Sequence, residues 1–156
     1  MKFTHLDSAG QARMVDVTDK QPTKRAATAS ATVVCDPEIL RRIASGEMPK
    51  GDVLAVARIA GIAAAKRTPE LLPLAHVIGV HGAAVDLTLG PESIEVVATV
   101  RTADRTGVEM EALTAASVAA LALIDMVKGL DRNAHIREVK LLAKEGGRSG
   151  SWRRDA

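Results

Sequence analysis

Asp125 and Lys128 stand three residues apart in IDMVK, the spacing of side chains on one face of a helix. A carboxylate beside an ammonium group can orient it, hold its charge or exchange a proton with it. Such a pair at the rim of a pocket would be an acid–base device; on a plain surface it would be an ordinary helix ion pair, and spacing alone leaves both open. Lys50 lies just before the N-terminus expected of another helix, where free backbone N–H groups favour a phosphate. A solvated loop lysine is the simpler alternative. His76 follows a proline-bounded turn, at an element end where an imidazole could serve proton transfer near neutral pH or simply be hydrogen-bonded. His81 is five residues further on. On a strand that odd spacing puts the two rings on opposite faces, so no metal is expected.

These residues need a frame, and Thr106–Leu130 supplies its centre. TGVEMEALTAASVAALALIDMVKGL reads as one long helix. Glu109 and Glu111 fall in its first turn, where carboxylates complement the helix dipole, and Gly129 with Lys128 forms the expected stop. Glu111, Thr114, Val118, Leu121, Asp125 and Lys128 share a stripe, and charge at both ends of a stripe that should face the core is the anomaly that draws attention to it.

The remaining chain is read around that helix. Residues 1–26 are a polar arm, with Arg25 and Lys24 near its end; 27–35 form a first strand. Asp36-Pro37-Glu38 starts a helix that Gly46 ends. Asp52 caps a second helix over 53–67, inside which Gly61 implies close approach to a neighbouring backbone. Thr68-Pro69-Glu70 caps a short turn. Alternating apolar residues over 80–89 and 93–104 give a hairpin about Gly90-Pro91-Glu92. Residues 135–144 form the last strand, with a bulge expected between Ile136 and Val139. The glycine-rich stretch at 145–156 is a flexible tail that could alternatively wrap phosphates. The order β, α, β, β, α, β predicts a single α+β domain. It is a ferredoxin-like split βαβ, with an antiparallel sheet and helices on one face.

Composition limits the partners. The chain has 156 residues, one Phe, one Trp, no Tyr and a net charge of +2. That leaves little to stack on nucleic-acid bases and favours a small anionic ligand over a duplex. Cys35 is alone, so no intrachain disulfide forms. The first ten residues lack an apolar signal core, and charges interrupt each apolar run, so no membrane span is expected and the cytoplasm is the default.

MVDVTDK, KGDVLAVARIAGIAAAKRTPELLPLAH, TGVEMEALTAASVAALALIDMVKGLD and VKLLAKEGGRSG together resemble the MoaC family, the cyclic pyranopterin monophosphate synthases, over residues 4–151. The resemblance implies a lyase of molybdenum cofactor biosynthesis. Its substrate would be 3',8-cyclo-7,8-dihydroguanosine triphosphate, made by a radical S-adenosylmethionine GTP cyclase, and it would release pyrophosphate. It implies a hexamer, a trimer of dimers with sites at subunit interfaces, and no cofactor. By motif, Asp125, Lys128 and Lys50 fall on catalytic positions. Leu74, Ala75, His76, Glu109, Met110, Glu111, Arg25 and Lys144 fall on substrate-binding ones. The family often reads Leu-Cys-His-Pro where this chain has Leu74-Ala75-His76-Val77, so a thiol at 75 is not expected to be essential.

Glu111 and Asp125 are about 21 Å apart along a straight helix at ~1.5 Å per residue. Three arrangements answer that distance: a long ligand, a Glu111 that precedes the helix, or a site shared by two subunits. A non-catalytic nucleotide-binding module or inactive paralogue on the same fold would instead tolerate loss of Asp125 and Lys128. An RNA-binding module would need exposed aromatics on residues 80–104, and there are none.

Overall fold

The computed structural model describes residues 5–155; residues 1–4 of the expected arm and Ala156 of the expected tail lie outside them. The elements run β1 (Thr23–Val34), α1 (Pro37–Ser45), α2 (Val53–Ala65), α3 (Thr68–Leu71), β2 (Gly82–Leu89), β3 (Ser93–Asp104), α4 (Glu109–Val127), β4 (His135–Glu145) and β5 (Trp152–Arg153). The sheet order is β2-β3-β1-β4-β5, antiparallel at every pairing. This is the expected α+β split βαβ arrangement, with one short strand added at the edge.

Small residues set the spacing of the two layers. Ala27, Ala29, Ala31 and Val33 of β1 and Ile94, Val96, Ala98 and Val100 of β3 form a buried face. Against it lie Ala112, Ala115, Ala116, Ala119, Ala120 and Leu123 of α4, all without exposed surface. Alanine on both sides lets helix and sheet approach closely and bury apolar area at roughly 25 cal/mol per Å². By length and composition α4 is apolar enough to cross a membrane, a property its charges concealed in the sequence. Here it serves as the central core helix, packed on β1, β3 and α2.

Gly61 is where α2 meets α4. A methyl group there would sit 2.9 Å from the Ala115 carbonyl oxygen and 3.1 Å from both Ala119 Cβ and Val85 Cγ2. The close backbone approach expected from sequence is therefore present.

Several boundaries differ from expectation. β1 begins at Thr23, because residues 23–26 pair with Asp104–Arg101 of β3 and Ala26 pairs with Glu145 of β4. Residues 80 and 81 precede β2, and α2 stops at Ala65. Thr68 does not cap α3; its hydroxyl donates back to the Ala64 and Ala65 carbonyls at 3.4 and 3.1 Å. α4 is shorter than 106–130, and Gly129 does not take the left-handed conformation of a glycine stop. The β4 bulge falls at Arg137 as expected, and a second falls at Leu142. The tail returns to pair with β4 through β5.

Candidate active site

The expected site residues form two clusters, one at each end of α4. Lys50, Asp125 and Lys128 share the C-terminal end. Lys128 Nζ lies 2.6 Å from Asp125 Oδ1, and Lys50 Nζ lies 3.9 Å from Oδ2 while donating to the Asp125 carbonyl at 2.7 Å. The loop that carries Lys50 is fixed by Asp52, whose Oδ1 accepts from the Ala55 N–H at 2.9 Å, and by the left-handed Gly51. Lys50 is thus spent on the end of α4 rather than on the N-terminus of α2. Two ammonium groups around one carboxylate leave the cluster net positive. The Lys128 hydrogen bond, then its charge and that of Lys50, hold the Asp125 carboxyl below the usual carboxylate range. All three side chains are open to solvent. An exposed pair of this kind adds little stability.

The second cluster surrounds a cleft of about 390 Å³ at the N-terminal end of α4. Leu74, Ala75, His76, Glu109, Met110 and Glu111 line it. Glu109 and Glu111 are held in the first turn of α4, and Gly107 leaves room for the Glu109 carboxylate, which a side chain at 107 would displace. Lys144 Nζ donates to Glu109 Oε1 at 2.9 Å across from β4. Glu111 is only 3% exposed. Burial pushes its carboxyl upward and the nearby Glu109 charge adds to this, against its own backbone N–H and His76. A carboxyl in that environment keeps its proton to higher pH than an ordinary glutamate.

Arg25 does not line this cleft; with Lys24, His81, Arg101 and Glu145 it lines a separate one. Its Nε donates to the Asp104 carbonyl at 3.1 Å and a terminal nitrogen to that of Arg105 at 3.3 Å. The left-handed Gly146 and Gly147 let the chain pass over Lys24 and Arg25; a side chain at Gly147 would occupy the guanidinium's place.

The cleft has walls that sequence reasoning missed: His5, Val15 and Val17 of the arm, with Thr106 and Gly107. MVDVTDK carries the arm's part of the family resemblance, but no local pattern tells that Val15 and Val17 line the same cleft as His76. The two histidines turn apart for a reason other than strand alternation, since both precede β2. His76 Nε2 lies 2.6 Å from the Val15 carbonyl, whereas His81 Nδ1 meets Thr102 Oγ1 at 3.2 Å. Among the described residues, no three His, Cys, Asp or Glu side chains converge as a metal-ligand set.

The α4 stripe between the clusters faces away from the core, contrary to expectation. Thr114 and Val118 are half-buried and Leu121 is 57% exposed. One chain therefore presents a cationic end and an acidic, partly desolvated cleft, separated along a helix by apolar surface.

The comparisons with known proteins extend over nearly the whole chain. The chain is 57% identical over 157 residues to the cyclic pyranopterin monophosphate synthase of Geobacter metallireducens, covering 99% of this chain and 98% of that protein. It is 56% identical over 155 residues to that of Chloroflexus aurantiacus (98% and 95% covered). It is 54% identical over 153 residues to that of Streptomyces avermitilis (98% and 90% covered). The MoaC family model matches residues 14–147, a span that takes in both clusters and Val15 and Val17 of the arm. The family match over residues 14–147 and the identity to these relatives along nearly the whole chain place this protein in the MoaC family.

Proposed function

We propose that this chain is a cyclic pyranopterin monophosphate synthase of molybdenum cofactor biosynthesis. It would act as a lyase that converts 3',8-cyclo-7,8-dihydroguanosine triphosphate to cyclic pyranopterin monophosphate and releases pyrophosphate. The observation that carries this reading is the full-length identity of 54–57% to relatives bearing that enzyme name. The substrate comes from a radical S-adenosylmethionine GTP cyclase, and the reaction takes place in the cytoplasm.

The two clusters suit two parts of that reaction. Loss of pyrophosphate builds negative charge, which Lys50 and Lys128 balance. Asp125, held ionised by Lys128, is a poor base near neutral pH and instead orients the Lys128 ammonium group. Ring opening and re-closure need proton transfers. Glu111, whose carboxyl burial pushes upward, is the donor we assign, with His76 beside it. Glu109 is paired with Lys144, and both bind substrate alongside Arg25, Leu74, Ala75 and Met110.

The ends of α4 are too far apart to serve one small substrate within one chain, so two subunits share each site. A two-fold axis near Val118, midway between Glu111 and Asp125, would set α4 against an antiparallel copy. That brings the lysine end of one subunit to the cleft of the next. Exposed Leu121, with Val56 and Ile59 of α2, gives this contact apolar area. Three such dimers make the proposed hexamer.

The test is single-turnover conversion of the purified cyclic intermediate, following pterin and pyrophosphate, for wild type, Lys128→Ala and Asp125→Ala with folding checked by circular dichroism. Conversion by wild type and a loss of several orders of magnitude in both folded variants is expected. Binding without conversion by wild type would refute the assignment.

A further inference from the structure

We infer that Val15 is a positioning residue of this site: its backbone carbonyl accepts a hydrogen bond from the Nε2–H of His76, so that whenever the ring is neutral it is the Nε2–H tautomer, with Nδ1 left as an acceptor for a donor group on the substrate. A carbonyl oxygen has no proton to give, so at 2.6 Å the proton between Val15 and His76 must lie on Nε2. A neutral imidazole carries one ring proton, so Nδ1 is then bare. Among the described residues it has no hydrogen-bond partner, and the ring lines the cleft.

The arm that carries this carbonyl is folded on itself on either side of Val15 and is tied to the body beyond it by Arg105. Upstream, Arg13 N–H donates to the His5 carbonyl at 2.8 Å and Leu6 bridges Ala12. Downstream, Arg105 Nε donates to the Lys20 carbonyl at 2.8 Å, and Asp16 Oδ1 accepts from the Thr18 N–H at 2.9 Å. The arm thus works as a jig for one ring, which is how a second layer of contacts sets the tautomer of a functional histidine.

The tautomer selects a ligand group. A bare nitrogen cannot bond a phosphate oxygen, which has no proton to offer. It accepts from an N–H or a hydroxyl, groups that a reduced pterin-like ring and its sugar present and a triphosphate does not. His76 is therefore assigned to the ring end of the substrate. That part rests on the synthase reading; the tautomer does not.

The test uses the full-length protein labelled with 15N-histidine, without substrate, at a pH where the ring is neutral. Long-range 1H–15N NMR, with His76 assigned by the signals lost in His76→Gln, is expected to show a protonated Nε2 and a bare Nδ1. A protonated Nδ1 overturns the inference. Replacing the Val15–Asp16 peptide by an ester weakens that one carbonyl as an acceptor and changes no side chain. It is expected to erode the Nε2–H preference and to lower kcat roughly fivefold, the equivalent of one ordinary hydrogen bond, with KM moving less. An unchanged tautomer with unchanged kcat overturns the positioning role. A protein with the Nε2–H tautomer that turns over no substrate sinks the synthase reading and the substrate half of this inference, and leaves the arm–His76 link standing.

Discussion

Gly61→Ala asks whether the spacing of α2 and α4 is set as tightly as the contacts imply. Alanine is the better helix former, and in an open helix this change would stabilise by about 1 kcal/mol. Here the added methyl meets the Ala115 carbonyl oxygen at 2.9 Å and carbons of Ala119 and Val85 at 3.1 Å. Carbon pairs are most favourable at roughly 3.5–4.0 Å, so all three contacts are compressed. The oxygen belongs to a helix backbone and cannot rotate aside. Moving α2 away from α4 brings no relief at Val85, which is itself buried on β2. Overpacking of this kind costs about 1–3 kcal/mol, and contacts from two elements place it at the upper end. The net effect is a destabilisation of about 2 kcal/mol, a fall in Tm of roughly 4–8 °C for a domain of this size. Thermal unfolding followed by circular dichroism, at one fixed protein concentration, measures it. Activity should fall too, because α2 starts beside Lys50 and a wider helix pair draws Lys50 from Asp125. A variant as stable as wild type, or more stable, would refute the packing argument.

Other perturbations read other parts of the site. Because burial raises the Glu111 carboxyl, the folded state holds its proton where the unfolded state has lost it, so this group's contribution is complete at low pH and is lost as pH rises through its folded value. Glu111→Gln should therefore unfold at a higher temperature than wild type at pH 8, with the gap closing toward pH 4, while turnover falls; equal pH profiles of Tm would contradict the buried carboxyl. Gly147→Ala puts a side chain in the place of the Arg25 guanidinium at a left-handed position. It should raise KM several-fold with a smaller change in kcat, and a pure kcat effect would detach Arg25 from binding. Leu121→Asp lies on open surface within one chain, where a substitution normally changes stability by no more than about 0.5 kcal/mol. If α4 forms a subunit contact, sedimentation should show smaller assemblies with helicity retained, and an unchanged mass would place the contact elsewhere. Inactive Lys128→Ala and Glu111→Ala proteins, mixed under verified subunit exchange, should regain part of the activity; no recovery would count against sites shared between subunits.

The sequence was most informative where one local rule decides the outcome. Asp36 and Asp52 cap helices because an acceptor before a helical run has one obvious use. The alternation of β3 announced a sheet face, and its break in β4 announced the bulge at Arg137. It was least informative where a distant partner decides. TKRA at 23–26 is too polar to read as strand, yet β3 pairs along all of it, and β4 joins at Ala26, drawing it into the sheet. LLA at 141–143 looks like unbroken strand and hides the second bulge. Thr68 resembles a cap, but its hydroxyl finds the carbonyls of the preceding helix first. In the same way, nothing in the arm declares that its Val15 carbonyl meets His76 61 positions later.

The distance along α4 shows how fold and site depend on each other. Of the three arrangements that could reconcile Glu111 with Asp125, one had Glu111 precede the helix. It lies within α4, in the first turn, so that arrangement is gone. A long ligand within one chain would have to cross Val118 and Leu121, an apolar stretch of the stripe that gives a polyanion no cation to bind. Desolvating phosphate there without a partner is costly. A second copy of the chain meets both objections, because the same apolar stripe that repels a phosphate is the surface a neighbouring α4 would cover, and covering it brings lysines to carboxylates.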